Sequence, residues 1–247
     1  MEAYTGFATV YDRYMDNVPY DTWATNIKTL FEKYNMPMEI VCDLGCGTGQ
    51  MTRRLKAMGY DMIGIDVSYD MLMEAQTSED SDGILYLCQD MREFELYGTV
   101  GAVVSLCDSI NYLRDTDELL QVCKLVNNYL DPKGLFIFDV KTEHYYRELG
   151  CKTIAENRDE GSFIWENEYD PETGDNSYYL TIYEENEDGT FDRYEEEHLQ
   201  HAFTQEEIMD AIKSSGLELL EVCDVNTMGE PSSDSDRLYF VAREITK

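Results

Sequence analysis

The stretch VCDLGCGTG, residues Val41 to Gly49, reads as the end of a buried strand followed by a tight glycine loop. The glycines fall at alternate positions, and because Gly has no Cβ such a loop can turn sharply and let a ligand lie against bare backbone. The next segment, Gln50 to Met58, carries apolar residues at helical spacing. The stretch therefore predicts a strand, a loop and a helix whose first N–H groups favour the polar end of a ligand.

The spacing of this loop narrows the kind of ligand. Its pattern is G-x-G-x-G, whereas dinucleotide-binding folds use G-x-G-x-x-G. No Lys-Ser or Lys-Thr pair follows the loop, which argues against a phosphate-cradling Walker loop. An acid, Asp43, stands two residues before the first glycine, where a carboxylate could meet a cationic ammonium group.

The segment DLGCGTG, residues Asp43 to Gly49, resembles the first motif of the class I S-adenosylmethionine-dependent methyltransferases. The whole chain, including FATVYD at residues 7–12 and PYDTW at residues 19–23, resembles a bacterial group of small methyltransferases within that class. The resemblance implies an α/β, Rossmann-like fold: a seven-stranded, mostly parallel sheet with helices on both faces and an inserted antiparallel β meander. It also implies S-adenosylmethionine as the cofactor.

Charge and cysteine content limit the classes of partner. Lys and Arg number 19 against 51 Asp and Glu, a formal net charge of −32 at pH 7. Such a surface repels phosphate backbones, so a nucleic-acid partner is not expected. The 7 Cys are scattered without a C-x-x-C pair, which indicates reduced thiols rather than a disulfide framework or a zinc site. We expect no metal.

The chain carries no pattern typical of export or membrane insertion. Its start, MEAY, lacks the basic and apolar parts of a signal peptide. No apolar run approaches the roughly 20 residues that a membrane helix needs. We therefore expect a cytoplasmic protein without a membrane partner, present as a monomer or a homodimer.

Residues 39 to 140 alternate predicted strands and helices. The strands cover 40–44, 61–66, 84–88, 101–106 and 135–140, and a turn is predicted at 131–134. This alternation predicts a parallel sheet with helices on both faces. The carboxyl ends of such strands meet at one edge, where open α/β sheets bind ligands.

Residues at these strand ends supply the candidate cofactor site. Asp66 ends the second strand beside the first loop, where its carboxylate can accept both hydroxyls of a ribose. The resemblance implies that Asp90 accepts from the adenine exocyclic amine and that the Met91 N–H meets a ring nitrogen. The predicted cofactor-binding set is Tyr11, Asp43, Gly45, Cys46, Gly47, Gly49, Asp66, Val67, Asp90, Met91, Leu106 and Cys107.

The segments outside the alternating core are given three roles. Residues 1–38 form a helical lid, and the stretch around Tyr11 and Tyr14 resembles a lid whose Tyr closes over the methionine end of the cofactor; core packing is the alternative for Tyr11. After the core, residues 39–147, a segment 148–203 is predicted as an antiparallel meander with strands at 162–169, 176–185 and 190–203. It would roof the acceptor pocket or form a subunit interface. Residues 204–247 complete the core sheet with an antiparallel final strand.

A general base is needed only if the acceptor is a weakly acidic hydroxyl or a charged amine, because the sulfonium already activates the methyl group. The candidate bases are His144, Tyr14 and Asp108. Asp108, Asn111 and Tyr112 either face the acceptor or support the loop after the fourth strand. His198 and His201 are three apart on a predicted strand and point to opposite faces, so they are poor joint metal ligands.

The sequence thus predicts an S-adenosylmethionine-dependent methyltransferase that acts on oxygen or nitrogen of a small-molecule methyl acceptor. Holding nucleophile, methyl and sulfur in line and excluding water would be the protein's main task. Two other classes stay open: an NAD-dependent oxidoreductase, which the glycine spacing disfavours, and a non-catalytic S-adenosylmethionine-binding protein.

Overall fold

The computed structural model describes residues 12–13, 18–36, 39–159, 161–186 and 188–247, and these alternate strands and helices up to residue 149. The helices are α1 (Tyr20–Lys33), α2 (Gln50–Ala57), α3 (Tyr69–Thr77), α4 (Thr116–Tyr129), α5 (Glu143–Leu149) and α6 (Gln205–Ser214), with a 3₁₀ turn at Ser109–Tyr112. The strands are β1 (Ile40–Leu44), β2 (Asp61–Asp66), β3 (Leu85–Cys88), β4 (Val100–Ser105), β5 (Leu130–Lys141), β6 (Thr153–Arg158), β7 (Gly161–Asp170), β8 (Asp175–Glu185), β9 (Phe191–His201), β10 (Leu217–Asp224) and β11 (Arg237–Glu244).

Seven strands form one sheet in the order β10-β11-β5-β4-β1-β2-β3. The neighbouring pairs β5–β4, β4–β1, β1–β2 and β2–β3 are parallel, whereas β11 runs antiparallel to both β5 and β10. The predicted Rossmann-like sheet with an antiparallel final strand is therefore confirmed. The strand order reverses between β1 and β4, and in open α/β sheets a ligand binds at the carboxyl ends of the strands on either side of such a switch point.

Both faces of this sheet are covered, which explains its apolar strands. All residues of β4 are buried, and β1 is buried after Ile40. Helices α4 and α6 pack on one face through residues such as Val122 and Ile212, while α1 and α2 pack on the other through Ile27 and Leu55. Strands buried on both sides need this continuous apolar sequence, so the helical layers were predictable from the strands.

The second sheet has four antiparallel strands in the order β6-β7-β8-β9, one more than the sequence predicted. The missed strand, β6, lies at the edge and is exposed over most of its length, so it shows no alternation of apolar and polar residues. Burial alternates along the predicted strands β7 and β8: Asn167 and Ile182 are buried, while their neighbours Glu168 and Thr181 are not. One face of this sheet therefore packs inward.

The turn predicted at 131–134 is part of a longer strand. β5 begins at Leu130, which pairs with Val100, and the register then shifts before Leu135 pairs with Ala102. The irregularity is taken up at Lys133, whose φ of 67° lies in the left-handed region. The strand thus bends where the sequence predicted a turn instead of ending there.

Within the described residues, no helix is both long enough and apolar enough to cross a membrane.

Phe138 at the centre of β5 tests how tightly the core is packed. Its ring lies 4.6 Å from that of Phe136 and is stacked 5.4 Å from that of Phe240, with no exposed surface. We expect Phe138→Ala to lower the free energy of unfolding by about 3–5 kcal/mol, because the surrounding rings cannot fill the cavity. Denaturant unfolding measures this, and the exposed Tyr97→Ala should change the free energy by less than about 0.5 kcal/mol. Equal effects of the two variants would contradict the packing described.

Candidate cofactor-binding site

A cavity of about 680 Å³ opens at the carboxyl edge of the large sheet. Its walls come from the ends of β1, β2, β3 and β4 and from the loops that follow them. The predicted cofactor residues that line it are Asp43, Gly45, Cys46, Gly47, Asp66, Val67, Asp90, Met91, Leu106 and Cys107. Gly49 does not line the cavity, and Tyr11 lies outside the described residues.

The glycine loop needs glycine for its backbone conformation and, at Gly49, also for lack of space. Gly45, Gly47 and Gly49 have φ of 80°, 52° and 76°, values that L side chains rarely adopt. A Cβ on Gly49 would also approach the Tyr86 hydroxyl to 2.5 Å, whereas a Cβ on Gly47 would meet nothing within 4 Å. Gly49 therefore allows close packing at the start of α2, and Gly47 presents bare backbone to open space.

Asp66 ties this loop to the end of β2. Its carboxylate accepts from the Gly47 N–H and from the Ser68 N–H, both at 2.8 Å. Burial raises the pKa of Asp66, and these backbone N–H groups oppose the rise. Each carboxylate oxygen has a second lone pair, so the group retains acceptor capacity towards the cavity.

Asp43 is a buried carboxyl in the cavity wall, with 1% of its surface exposed. The Thr52 hydroxyl donates to it at 2.6 Å. Burial raises the pKa of Asp43 to about 7, against the hydrogen bond from Thr52 and assisted by the nearby charge of Asp66. A cation placed here would compensate a charge that burial otherwise disfavours.

Asp90 is held by a residue that the sequence did not single out. The Arg92 guanidinium donates from Nε at 2.9 Å and from Nη2 at 2.5 Å to the two oxygens of Asp90. Arg92 also reaches Glu118 at 2.7 Å. The hydrogen bonds from Arg92, against the effect of burial, lower the pKa of Asp90, which keeps this cavity-lining group a carboxylate. The only signal in the sequence was an acid and a base two residues apart, and outside regular structure that spacing does not decide whether the side chains meet.

The chain after β4 turns through two strained residues. Cys107 and Asp108 have φ of 61° and 57°, unusual for residues with a Cβ, and they lead into the 3₁₀ turn. The Ser109 hydroxyl bonds the carbonyl of Leu106 at 2.8 Å and that of Gly45 at 3.2 Å. Ser109 therefore links the loop after β4 to the glycine loop beside the cavity.

Of the candidate bases, neither His144 nor Asp108 lines the cavity, and Tyr14 lies outside the described residues. His144 on α5 faces Asp236, with 3.8 Å between Nε2 and Oδ1. Asn111 is buried and bonds the carbonyls of Lys141 and His201, so it supports the loop.

Asp108 belongs instead to a buried ionic network beneath the second sheet. It accepts from Arg237 at 2.7 Å and Gln200 at 2.7 Å and pairs with Lys141 at 3.0 Å, while Arg237 also pairs with Asp139. Burial would raise the pKa of Asp108, but the charges of Lys141 and Arg237 outweigh it and hold that pKa at about 2. A carboxylate so engaged is a structural anion. The partners are distant in sequence, which is why Arg237, Lys141 and Gln200 were missed.

Tyr112 connects the cavity to the second sheet. It lines the cavity, and its hydroxyl lies 3.0 Å from His198 Nδ1 and 2.9 Å from the Tyr178 hydroxyl. His201 faces Asp175 instead, with 2.9 Å between them, so the two histidines of β9 serve separate contacts. Among the described residues, no group of acidic, Cys and His side chains is arranged to hold a metal ion.

Asp12 and Arg13 of the amino-terminal segment contact both the glycine loop and the second sheet. Asp12 accepts from the Thr48 hydroxyl at 2.7 Å and from the Gln50 amide at 2.6 Å, at the start of α2. Arg13 pairs with Glu184 of β8 at 2.7 Å, and its carbonyl accepts from Arg158 of β6 at 2.5 Å. Asp12 and Arg13 therefore link the glycine loop to the second sheet.

A family model and several known proteins match this chain. Residues 41–134 match a family model described as a methyltransferase domain. YqeM of Bacillus subtilis is 35% identical over 98% of this chain and 97% of its own length. A dTDP-3-amino-3,4,6-trideoxy-alpha-D-glucopyranose N,N-dimethyltransferase of Streptomyces venezuelae is 30% identical over 49% of this chain and 50% of its own.

The solved structures include one that covers the whole fold. The crystal structure of an S-adenosylmethionine-dependent methyltransferase from Clostridium acetobutylicum superposes with a TM-score of 0.88 and 26% identity, over 98% of this chain and 99% of that one. The match thus includes the second sheet as well as the core. The geometry of the cavity and these full-length similarities lead to one conclusion: the chain belongs to the S-adenosylmethionine-dependent methyltransferases, in the family that contains YqeM.

Proposed function

We propose that this protein binds S-adenosylmethionine in the cavity described above and transfers its methyl group to oxygen or nitrogen of a small-molecule acceptor. One observation carries the proposal: three carboxyl groups from successive strand ends, Asp43, Asp66 and Asp90, line one cavity beside a glycine loop. An ammonium group, a ribose diol and an exocyclic amine are all donors, and carboxylates are the acceptors that suit them.

The residues present fit this cofactor. Gly47 faces open space where a Cβ would meet nothing, so a ligand can lie against its backbone. Asp43 is buried in the wall at the loop, where it would meet the ammonium group, and Asp66 would take the ribose hydroxyls. Asp90 and the Met91 N–H would take the adenine, with Leu106 and Cys107 as apolar borders.

The chemistry divides simply between cofactor and protein. When bound, the cofactor supplies a methyl group activated by a positively charged sulfur. The residues of this chain would bind and orient it, and the second sheet, which Asp12 and Arg13 link to the glycine loop, would exclude water from the acceptor side. Orientation and exclusion of water account for most of the catalysis in such a reaction.

A small acceptor suits the net negative charge of the protein. With 51 acidic against 19 basic residues, most of the surface repels a polyanion such as RNA. The relative from Streptomyces venezuelae is named for an amino-sugar substrate, which supports a small molecule. All 7 cysteines are free, which favours a reducing compartment, and we place the reaction in the cytoplasm.

Calorimetric titration and labelled methyl transfer test this function together. We expect heat of binding with S-adenosylmethionine and with its demethylated product, and no fluorescence change with NADH. With methyl-labelled S-adenosylmethionine and a bacterial metabolite extract, label should enter the small-molecule fraction. No heat with either compound would overturn the proposal, and binding without transfer would indicate a non-catalytic binding protein.

Asp66→Ala tests the ribose contact. It should weaken binding of S-adenosylmethionine by about 10²-fold, because each hydrogen bond to a charged group is worth about 1.5–3 kcal/mol. Calorimetry measures the loss. Asp61→Ala is the matched control, since Asp61 stands at the other end of β2 and pairs on the surface with Lys56. Unchanged affinity in Asp66→Ala would remove Asp66 from the site.

Asp43 should make binding depend on pH. Burial raises its pKa to about 7 in the free protein, and a bound ammonium group favours the charged carboxylate. Binding then releases a proton, so affinity should rise with pH up to about 7, by at most about tenfold per unit, and level off above it. The cofactor's α-amino group stays charged below about pH 7.7.

Calorimetry between about pH 5.5 and 7, in buffers of different ionisation enthalpy, measures the released proton. Asp43→Asn removes the titrating group and should abolish both the slope and the proton release. A flat affinity profile for the unsubstituted protein would show that Asp43 does not face the ammonium group.

A further inference from the structure

One side chain faces both the cavity and the second sheet. Tyr112 closes the 3₁₀ turn after β4 and lines the cavity, and its hydroxyl lies 3.0 Å from His198 Nδ1 on β9. The hydroxyl is also 2.9 Å from that of Tyr178 on β8. A phenol in the wall of the site is thus connected to an imidazole behind it.

The His198 imidazole is buried and held in one orientation. Only 2% of its surface is exposed, and its ring stacks on Tyr178 with 4.5 Å between centroids and 19° between planes. Tyr112 meets it edge-on at 5.9 Å. Tyr178 and His198 are also direct partners in the β8–β9 pairing, which fixes their relative position through the backbone. Nδ1 is therefore directed at Tyr112 by packing on two sides.

The surroundings keep this imidazole neutral. Burial and then the charge of Lys141 lower the pKa of His198 to about 4, against the opposing charge of Asp108. A neutral imidazole has one nitrogen that accepts a hydrogen bond. With Nδ1 in that role, the proton sits on Nε2 and the Tyr112 hydroxyl donates to Nδ1, as the distance allows.

We propose that Tyr112 and His198 form the proton-accepting pair of the methyl-transfer site and that the acceptor is a hydroxyl group. This rests on the proposed function and assigns the acceptor atom. Tyr112 is the catalytic residue, because it borders the cavity, and His198 acts through it as a positioning residue and final proton acceptor.

The step balances in atoms and charge. The acceptor oxygen forms a bond to the methyl carbon while the carbon–sulfur bond breaks and its electron pair stays on sulfur. The acceptor proton passes to the Tyr112 oxygen as the Tyr112 proton passes to His198 Nδ1. The products are a methyl ether, a neutral thioether and an imidazolium, so one positive charge moves from sulfur to imidazole and none is created.

A proton-accepting pair at the cavity suits a hydroxyl acceptor, which must lose its proton as it is methylated, and the low pKa of His198 supports a hydroxyl over a protonated amine. As the new carbon–oxygen bond forms, the hydroxyl proton becomes strongly acidic, and a base of pKa about 4 can accept it. A protonated amine would have to lose its proton before attack, and its pKa is near that of a Lys ammonium, about 10.4. Transfer from it to this imidazole is strongly uphill.

Nitrogen NMR of the imidazoles tests the pair without any acceptor. The chain has 3 His, so ¹⁵N-histidine labelling gives three imidazoles to assign. At pH 7 we expect His198 to be neutral with its proton on Nε2, and Tyr112→Phe to shift Nδ1 of His198 while those of His144 and His201 stay unchanged. A charged His198, or an unchanged Nδ1 in Tyr112→Phe, would overturn the pairing.

Methyl transfer to the metabolite extract tests the chemistry. Tyr112→Phe and His198→Gln should each slow transfer by about 10²-fold, with affinity for S-adenosylmethionine within about twofold of the parent. The controls are Tyr179→Phe, an exposed tyrosine on the other face of β8, and His201→Gln on the other face of β9. Both should transfer at the parent rate, and mass spectrometry should find the label on oxygen.

The methyltransferase function and the Tyr112–His198 pair fail on different results. Loss of binding in the unsubstituted protein overturns the proposed function. Retained binding with label only on nitrogen, or with transfer in both variants within about twofold of the parent, overturns the pair and leaves the proposed function standing.

Discussion

Carboxyl groups from neighbouring parallel strands meet at one edge of the sheet, and the site exists because each of them finds a donor there. Asp66 accepts two backbone N–H groups, Asp43 a threonine hydroxyl, and Asp90 a guanidinium. Without these donors, burying acids so close together would raise their pKa values and cost folding free energy. The hydrogen bond from the Gly47 N–H to Asp66 also shapes the glycine loop. The same contact therefore stabilises the buried carboxylate and sets the loop conformation that faces the ligand.

Acidic groups under the second sheet also need compensation, and there it comes from full positive charges. Asp139 is buried and Asp108 beside it is partly buried, and Arg237 bridges the two while Lys141 pairs with Asp108. Arg237 also lies over the Trp23 ring, 4.9 Å from its centroid, which joins α1 to the network. Removing one member would leave a buried charge unpaired, so the network fixes how β9 and β11 sit against β5.

Features that depend on neighbouring residues could be predicted from the sequence, and contacts between distant positions could not. The glycine loop, Asp43 and Asp66 lie within a strand–loop–helix unit whose local pattern dictates its conformation, and the parallel sheet follows from its repetition. The pairing of Arg237 with Asp108 joins positions 129 apart, and that of Tyr112 with His198 positions 86 apart. No local pattern encodes such partners. The edge strand β6 was missed for the opposite reason, since exposure leaves its side chains without periodicity.

The second sheet adds chemistry that the core alone lacks. The carboxyl groups that the core places in the cavity wall, Asp43, Asp66 and Asp90, already accept hydrogen bonds, so they suit donors but are poorly placed to take a proton from a hydroxyl. β9 brings His198 behind Tyr112, and its partner β8 brings the ring that holds His198 in place. The imidazole is kept neutral by burial and by Lys141, which itself neutralises Asp108. The ionic network that docks the second sheet thus also sets the protonation state of the group that the sheet contributes.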